Sequence, residues 1–320
     1  MVTPLRVVMF GTPAFAVPTL EALRRSPHEV VAVVTQPDRP RGRGQKVVPS
    51  PMKTAAIAGN IPVLQPQQPR DEAFLDTLRS LGPDLGVVAA YGRILPQRLL
   101  DLPRLGCINV HASLLPRWRG AAPVHRAVMA GDPETGVTIM RVVLALDAGP
   151  MLARTVLPIG PDDTSSDLET RLAQAGADLL VEVTDRLAAG PVAAEPQADA
   201  AATYAPRLER HESEVDWARP ATVIHNQIRG LQPWPLAAAL LRHERVRLWQ
   251  SAVVGLEDER AAPGTIVDVS ADGLIVAAKP GRLCLLRLQP DGRPVMSVRD
   301  FLNGHPVAAG DHLEPLAARS

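Results

Sequence analysis

Cysteine is scarce in these 320 residues: Cys107 and Cys284 stand far apart and in no CxxC spacing. A disulfide framework and a cysteine zinc site are left without support, which suits a reducing compartment. An excess of either charge is also missing. Lysine plus arginine and aspartate plus glutamate number 34 each, for a formal net charge of zero. The overall basic balance of many nucleic-acid binders is therefore absent, although a local basic patch stays open. No apolar run approaches the length of a membrane span. The N-terminus reaches a strand-like segment, Arg6–Phe10, almost at once, without the apolar core and cleavage site of a signal peptide. A cytoplasmic protein with no membrane partner is expected. Nucleotide signatures are lacking as well. Gly11-Thr12-Pro13 is not GxGxxG and no P-loop pattern occurs, so there is no case for NAD or ATP. The eight histidines fall in no spacing such as HExxH, and no metal is expected.

What is present is the composition of a globular chain, 46% apolar and 21% charged, long enough for two cores. Arg6–Phe10 reads as a buried strand, Phe15–Arg25 as a helix with Val17, Leu20 and Leu23 at helical spacing, and Val30–Thr35 as a second β-branched strand. Strand, helix, strand at this spacing is a βαβ unit and hence a parallel sheet. Gln36–Ser50 is a polar loop. Ser50 is placed to cap a helix with Pro51 at its first position, running to Ala58. Further strands are expected at Val63–Leu64, Leu85–Ala90, Arg104–His111, Gly136–Leu144 and Met151–Leu157. Helices are expected at Glu72–Leu81, Pro123–Ala130 and from Thr164 or Ser165 to Leu187. The segment Pro191–Ala202 is rich in Ala, Pro and Gln, lacks periodicity and reads as a linker. Beyond a helix at Ala221–Gly230, short runs between turns (Ala238–Leu241, Val246–Trp249, Thr265–Val269, Gly273–Ala277, Leu283–Leu288) suggest a small antiparallel barrel.

The chemistry concentrates where Cys107-Ile108-Asn109-Val110-His111-Ala112-Ser113 runs from an apolar strand into a loop. On extended chain Asn109, His111 and Ser113 share a face, because side chains alternate with a period of two. A polar strand end in an α/β pattern is where such folds place their sites. The loop that follows, Leu114–Pro123, carries prolines and a glycine that fix its backbone. Asp147 sits in a Leu-Asp-Ala-Gly turn, an ordinary place for aspartate unless the fold brings it beside His111. An Asn, a His and an Asp converging suit acyl transfer to an amine. The amide would donate to a developing oxyanion. The imidazole would donate to that oxyanion or to the leaving nitrogen. The carboxylate would hold the imidazole charged and oriented, or take the proton of the attacking amine. Cys107 precedes the polar stretch in the buried part of the strand, and no covalent nucleophile is evident. Asp38–Lys46 sets four cations against one acid, either a solvated loop or a contact for nucleic-acid phosphate. Trp118, Trp234 and Trp249 read as packing residues, with base stacking as the alternative.

With these residues in view the chain resembles the methionyl-tRNA formyltransferase family from about Arg6 to Leu313. The matching stretches are Phe10-Gly11-Thr12-Pro13, the loop from Gln36-Pro37-Asp38 to Pro49-Ser50-Pro51, Ala90-Tyr91-Gly92, and Asn109-Val110-His111 through Ser113-Leu114-Leu115-Pro116 to Arg119-Gly120-Ala121-Ala122-Pro123. Thr135–Met140, Leu146-Asp147-Ala148-Gly149, Pro233-Trp234-Pro235, Pro263-Gly264-Thr265-Ile266 and the run from Met296-Ser297 to Gly304 also match. Their order and number make the likeness specific. The resemblance implies an α/β fold: a Rossmann-like formyltransferase domain (1–190), a linker (191–206) and a small OB-like antiparallel β barrel (207–320) that binds tRNA. It implies transfer of the formyl group of 10-formyltetrahydrofolate to initiator methionyl-tRNA, with that folate as cosubstrate and the protein a monomer. Asn109, His111 and Asp147 are the implied catalytic trio. Ser113, Leu114, Leu115 and Pro116 lie against the folate by the same resemblance, with Val87, Ala89 and Tyr91 lining the pterin pocket. Arg43, with Arg39, Arg41 and Lys46, falls where the family contacts the acceptor stem.

Two departures stand out. The family commonly carries Gly-Leu-Asp-Thr-Gly-Asp around the carboxylate, where this chain has Ala145-Leu146-Asp147-Ala148-Gly149-Pro150. From Arg207 onward cations and acids balance, so no basic surface is evident from composition. A formyltransferase with a nucleotide-sugar or glycinamide ribotide acceptor, or a formyl-folate hydrolase, would share the Asn/His/Asp core yet need neither the Arg39–Lys46 loop nor the barrel. A non-catalytic tRNA-binding protein would not need the trio intact.

Overall fold

The computed structural model describes residues 3–41, 46–257 and 260–316, apart from the side chains of residues 41 and 46. The chain forms two compact units. The first takes residues 1–123, 134–158 and 169–205, the second residues 124–133, 159–168 and 206–320.

In the first unit β1 (Arg6–Gly11), β2 (Glu29–Val34), β3 (Val63–Leu64), β4 (Leu85–Ala89), β5 (Cys107–His111), β6 (Glu134–Arg141) and β7 (Met151–Pro158) form one sheet in the order β7-β6-β5-β4-β1-β2-β3. The first five run parallel, and β6 pairs antiparallel with both β5 and β7. Five consecutive buried residues in β1 follow from a strand covered on both faces. α1 (Val17–Arg25) is preceded by a 3-10 turn at Ala14–Ala16, so the expected helix starts a little later than its periodicity indicated. Ser50 caps α2 (Pro51–Ala58) by accepting from Lys53 N at 3.1 Å, with Pro51 at the first position as expected. α3 (Glu72–Leu81) buries Phe74, Leu75 and Leu78 against Val8, Phe10 and Tyr91. Each such burial is worth about 1.5–3 kcal/mol. The short helix α4 (Gln97–Leu100), which the sequence reading did not contain, follows Pro96 and buries Leu99 and Leu100.

The polar loop at 36–50 contains a ribbon, Arg39–Arg41 paired antiparallel with Lys46–Val48. The expected strand at Gly136–Leu144 is instead Glu134–Arg141, and Val143, Leu144 and Leu146 are exposed. The strand ends early because Arg141 N turns to Pro150 O. Sequence order and sheet order part company at β1: the chain builds outward through β2 and β3, then returns to lay β4 on the other side of β1. The C-terminal ends of β1 and β4, where Gly11 stands beside Ala89, therefore flank a topological switch point. That is the position at which open α/β sheets form a ligand crevice.

The second unit holds α5 (Pro123–Ala130) from Val124 onward, α7 (Ala221–Gly230), α8 (Val298–Gly304) and an antiparallel sheet. A long helix between them in sequence, α6 (Ser165–Ala189), is capped by Thr164, whose Oγ1 accepts from Asp167 N while Asp167 Oδ2 accepts from Thr164 N. The sheet runs through β8 (Ala238–Leu241), β9 (Glu244–Gly255), β10 (Ile266–Ser270), β11 (Gly273–Ala277), β12 (Arg282–Pro290) and β13 (Leu313–Glu314) in the order β10-β11-β12-β9-β8-β13, and Met296–Ser297 pairs with β12 off that path. β9 runs well past the short strand expected at Val246–Trp249, and its register against β12 shifts repeatedly, which bends it. Backbone bonds from Leu313 N to Gly264 O, Ile266 N to Asp311 O and Gly310 N to Ile266 O, each 2.8 Å, join the two ends of the sheet. Inside lie Leu248, Leu274, Val276, Leu283, Leu285 and Phe301 with Ile224 and Ile228 of α7. No helix among the described residues is long and apolar enough to cross a membrane.

Candidate active site

β5 is clamped between β4 and β6, with Asn109 opposite Val88 on one side and Met140 on the other, and His111 opposite Thr138. Strand periodicity places Asn109 and His111 on one face, at the C-terminal end of the parallel strands. Asn109 is half-buried, and its side chain makes no hydrogen bond among the described residues. His111 is buried, with Nε2 2.9 Å from Trp118 O. A carbonyl only accepts, so Nε2 carries a proton and Nδ1 is the ring nitrogen left for chemistry. Nδ1 faces Asp147 Oδ2 at 3.7 Å, a separation for charge attraction and too long for a direct hydrogen bond. Asp147 Oδ2 also accepts from Gly120 N at 2.9 Å. The fold thus brings the aspartate of a turn after β6 beside the histidine that ends β5.

The loop after β5 is braced from β6. Thr138 Oγ1 donates to Ser113 O at 2.7 Å and accepts from Leu115 N at 3.2 Å. Ser113 is fully buried and its hydroxyl donates to Arg117 O at 2.7 Å. Leu115 packs with Met140 and Met151. Leu114 and Pro116 are half-buried, and the Leu115–Pro116 peptide is cis. Val87 and Ala89 are fully buried in β4. Tyr91 follows it, edge-on to Phe10 with ring centroids 5.7 Å apart. Its buried hydroxyl has no hydrogen-bond partner among the described residues, and burial raises its pKa against the opposing pull of Arg93. Tyr91 O receives Thr12 Oγ1 at 3.1 Å and Gln36 Nε2 at 2.9 Å, which ties together the loops following β1, β2 and β4 at the switch point. Cys107 is excluded as a nucleophile, because burial pushes its thiol up to about 12 despite the nearby charge of Arg141.

The expected cations fall at the ribbon. Arg39 is exposed, Arg41 and Lys46 pair across the ribbon, and Arg43 lies outside the described residues. Asp38 anchors the ribbon's base. Lys53 Nζ donates to it at 2.5 Å and Gln65 Nε2 at 2.8 Å, and these bonds hold its carboxyl below the usual range.

Four groups that the sequence reading left without a role complete the geometry: the Trp118 carbonyl, the Gly120 amide, Arg119 and Gln197. Two of them are backbone atoms, which no residue type discloses. Arg119 was visible only as part of a matching stretch, and it proves to be 4% exposed, with Nε 2.9 Å from Gln197 Oε1. Gln197 was hidden in a segment without periodicity. The described residues hold no cluster of His, Cys, Asp or Glu able to bind a metal ion.

Residues 5–184 match the family described as formyl transferase, and residues 207–306 match the formyl transferase C-terminal domain. The methionyl-tRNA formyltransferase of Moorella thermoacetica is 48% identical over 97% of this chain and 99% of its own length. The counterpart in Pseudomonas fluorescens strain Pf0-1 is 50% identical over 95% of this chain and 94% of its own. Among solved structures, the N-formyltransferase from Helicobacter canadensis, in complex with folinic acid and dTDP-3-aminofucose, shares the fold with a TM-score of 0.67 at 17% identity. It covers 89% of this chain and 99% of that one.

Proposed function

This chain belongs to the methionyl-tRNA formyltransferase family, and we propose that Asn109, His111 and Asp147 carry its transfer of a formyl group from 10-formyltetrahydrofolate to the amine of initiator methionyl-tRNA. The observation that carries this reading is the convergence at the end of β5: an amide without a partner beside a histidine whose one available nitrogen faces a carboxylate. The free amine attacks the formyl carbon, and a tetrahedral oxyanion develops. Asn109 donates to that oxyanion. Protonated Nδ1 of His111 stands beside it and can hand its proton to the departing folate N10, while Asp147 stabilises the imidazolium and assists removal of the amine proton. Nε2 takes no part, since it is bound to Trp118 O.

The folate site in this reading is the crevice at the switch point, with Val87, Ala89 and Tyr91 behind it and Ser113–Pro116 along its side. Buried Ser113 and Leu115 act there by fixing the loop, whereas Leu114 and Pro116 are accessible to a ligand. Arg39, Arg41, Arg43 and Lys46 are read as phosphate contacts for the tRNA. Residues 1–190 form the catalytic domain, 191–206 the linker and 207–320 an OB-like tRNA-binding barrel. The two family matches support that division, and the bonds joining the sheet ends support the barrel. The protein acts as a cytoplasmic monomer.

The test is steady-state formylation of charged tRNA with 10-formyltetrahydrofolate, set against free small amines as acceptors. Asn109→Ala and Asp147→Asn should each lower kcat by about 10²–10³-fold, the scale of losing an oxyanion donor, while the folate still binds. Near-normal turnover of either variant at saturating substrate sinks the assignment.

A further inference from the structure

We propose that Gln197 is a positioning residue that holds the Asp147 turn in register with His111, and that residues 195–205 act as a strap around the site. The inference rests on the catalytic reading of Asp147 above. Arg141 N to Pro150 O, 2.9 Å, closes the base of the turn, but its tip has little of its own to hold it. Asp147 has φ of 46°, in the left-handed region that a residue with a Cβ rarely occupies. Its internal backbone bond, Ala148 N to Ala145 O, is long at 3.4 Å. Ala148 and Pro150 offer no hydrogen-bonding side chain. Gln197 supplies the missing support. Its Nε2 donates to both Asp147 O and Gly149 O at 2.8 Å, and its Oε1 accepts from Arg119 Nε at 2.9 Å. One amide side chain thus ties the carboxylate's own backbone to the residue before Gly120, whose N–H holds the carboxylate oxygen.

The rest of the segment is fastened on either side of Gln197. Glu195 and Met151 exchange two backbone bonds of 2.8 Å. Arg119 N donates to Thr203 O at 2.9 Å and Trp118 N to Thr203 Oγ1 at 2.9 Å. Tyr204–Ala205 pairs with Arg119–Gly120 as a parallel ladder. The same strap therefore grips the loop whose Trp118 carbonyl fixes His111 and the turn that carries Asp147. A segment without periodicity sets the separation between the two.

Gln197→Glu separates the two halves of the clamp, since a carboxylate still receives Arg119 but has no donor for the two carbonyls. Gln197→Asn is one methylene too short to span them. Both variants should lose about 10–100-fold in kcat, the scale of a small displacement of a catalytic group. KM for each substrate should stay within about twofold. In the Asp147→Asn background Gln197→Glu should change the residual rate by less than about twofold, because a residue acting through Asp147 has nothing left to position. A merely stabilising residue would lower Tm and would not be silenced by that background. Wild-type kcat in Gln197→Glu and Gln197→Asn, with Asp147→Asn inactive, would overturn this proposal alone, as would multiplicative effects in the double variant. Near-normal turnover of Asp147→Asn by itself overturns the reading beneath it.

Discussion

Thr138→Val removes one oxygen from the wall of β6 and tests whether the loop after β5 is held from that side. Thr138 is fully buried, and its hydroxyl serves Ser113 O as donor and Leu115 N as acceptor. Valine keeps the shape and strands both backbone groups. An orphaned buried polar group costs about 1–3 kcal/mol, so two cost roughly 2–6. The added methyl, once buried, returns about 1 kcal/mol. Some relaxation of the loop brings the expected net loss to about 2–4 kcal/mol. The assay is urea unfolding of wild type, Thr138→Val and Thr138→Ser, comparing midpoints at equal m-values. Serine keeps the oxygen and should recover most of the loss. Because the same loop carries Trp118 O to His111, the valine variant should also lose turnover under conditions where it stays folded. A valine variant within about 0.5 kcal/mol of wild type, the range of a neutral substitution, or a serine variant as damaged as valine, would refute the bracing role.

Gly149→Ala places a Cβ 1.8 Å from Arg141 O, a distance no adjustment of a side chain can relieve. The turn bearing Asp147 must shift, so kcat should fall by about 10²-fold while folate affinity, measured by fluorescence titration, is kept. In the second unit, Glu212 is ion-paired with Arg126. Burial pushes its pKa up, but the bonds from Arg126 and the Glu209 backbone outweigh this and leave it lowered. A carboxyl depressed in the folded state stabilises above its unfolded value, near 4.3 for glutamate, and that contribution disappears as pH falls through the lower folded value. The stability difference between wild type and Glu212→Gln in urea should therefore be full at neutral pH and shrink toward zero in acid below the lowered folded value. A difference that persists there would show that packing, not charge, makes the contact.

Periodicity alone determined most of the elements: the βαβ start, the capped helix at Ser50–Pro51, the polar face shared by Asn109 and His111, and the strand-rich second half. These are legible because alternation, helical spacing and turn residues are written into adjacent positions. The family likeness determined the candidate trio. Only the tertiary structure decided what joins residues far apart in the chain. It set the Nδ1–Oδ2 separation of 3.7 Å between His111 and Asp147. It committed Nε2 to the Trp118 carbonyl and gave Gln197 bonds that span 78, 50 and 48 positions of sequence. A hydrogen bond leaves no local pattern when its partners are so distant, and a backbone carbonyl or amide is common to nearly every residue. The aperiodic run from Glu195 to Ala205 carried no signal in sequence, because its order comes from the loops it grips, not from its own spacing.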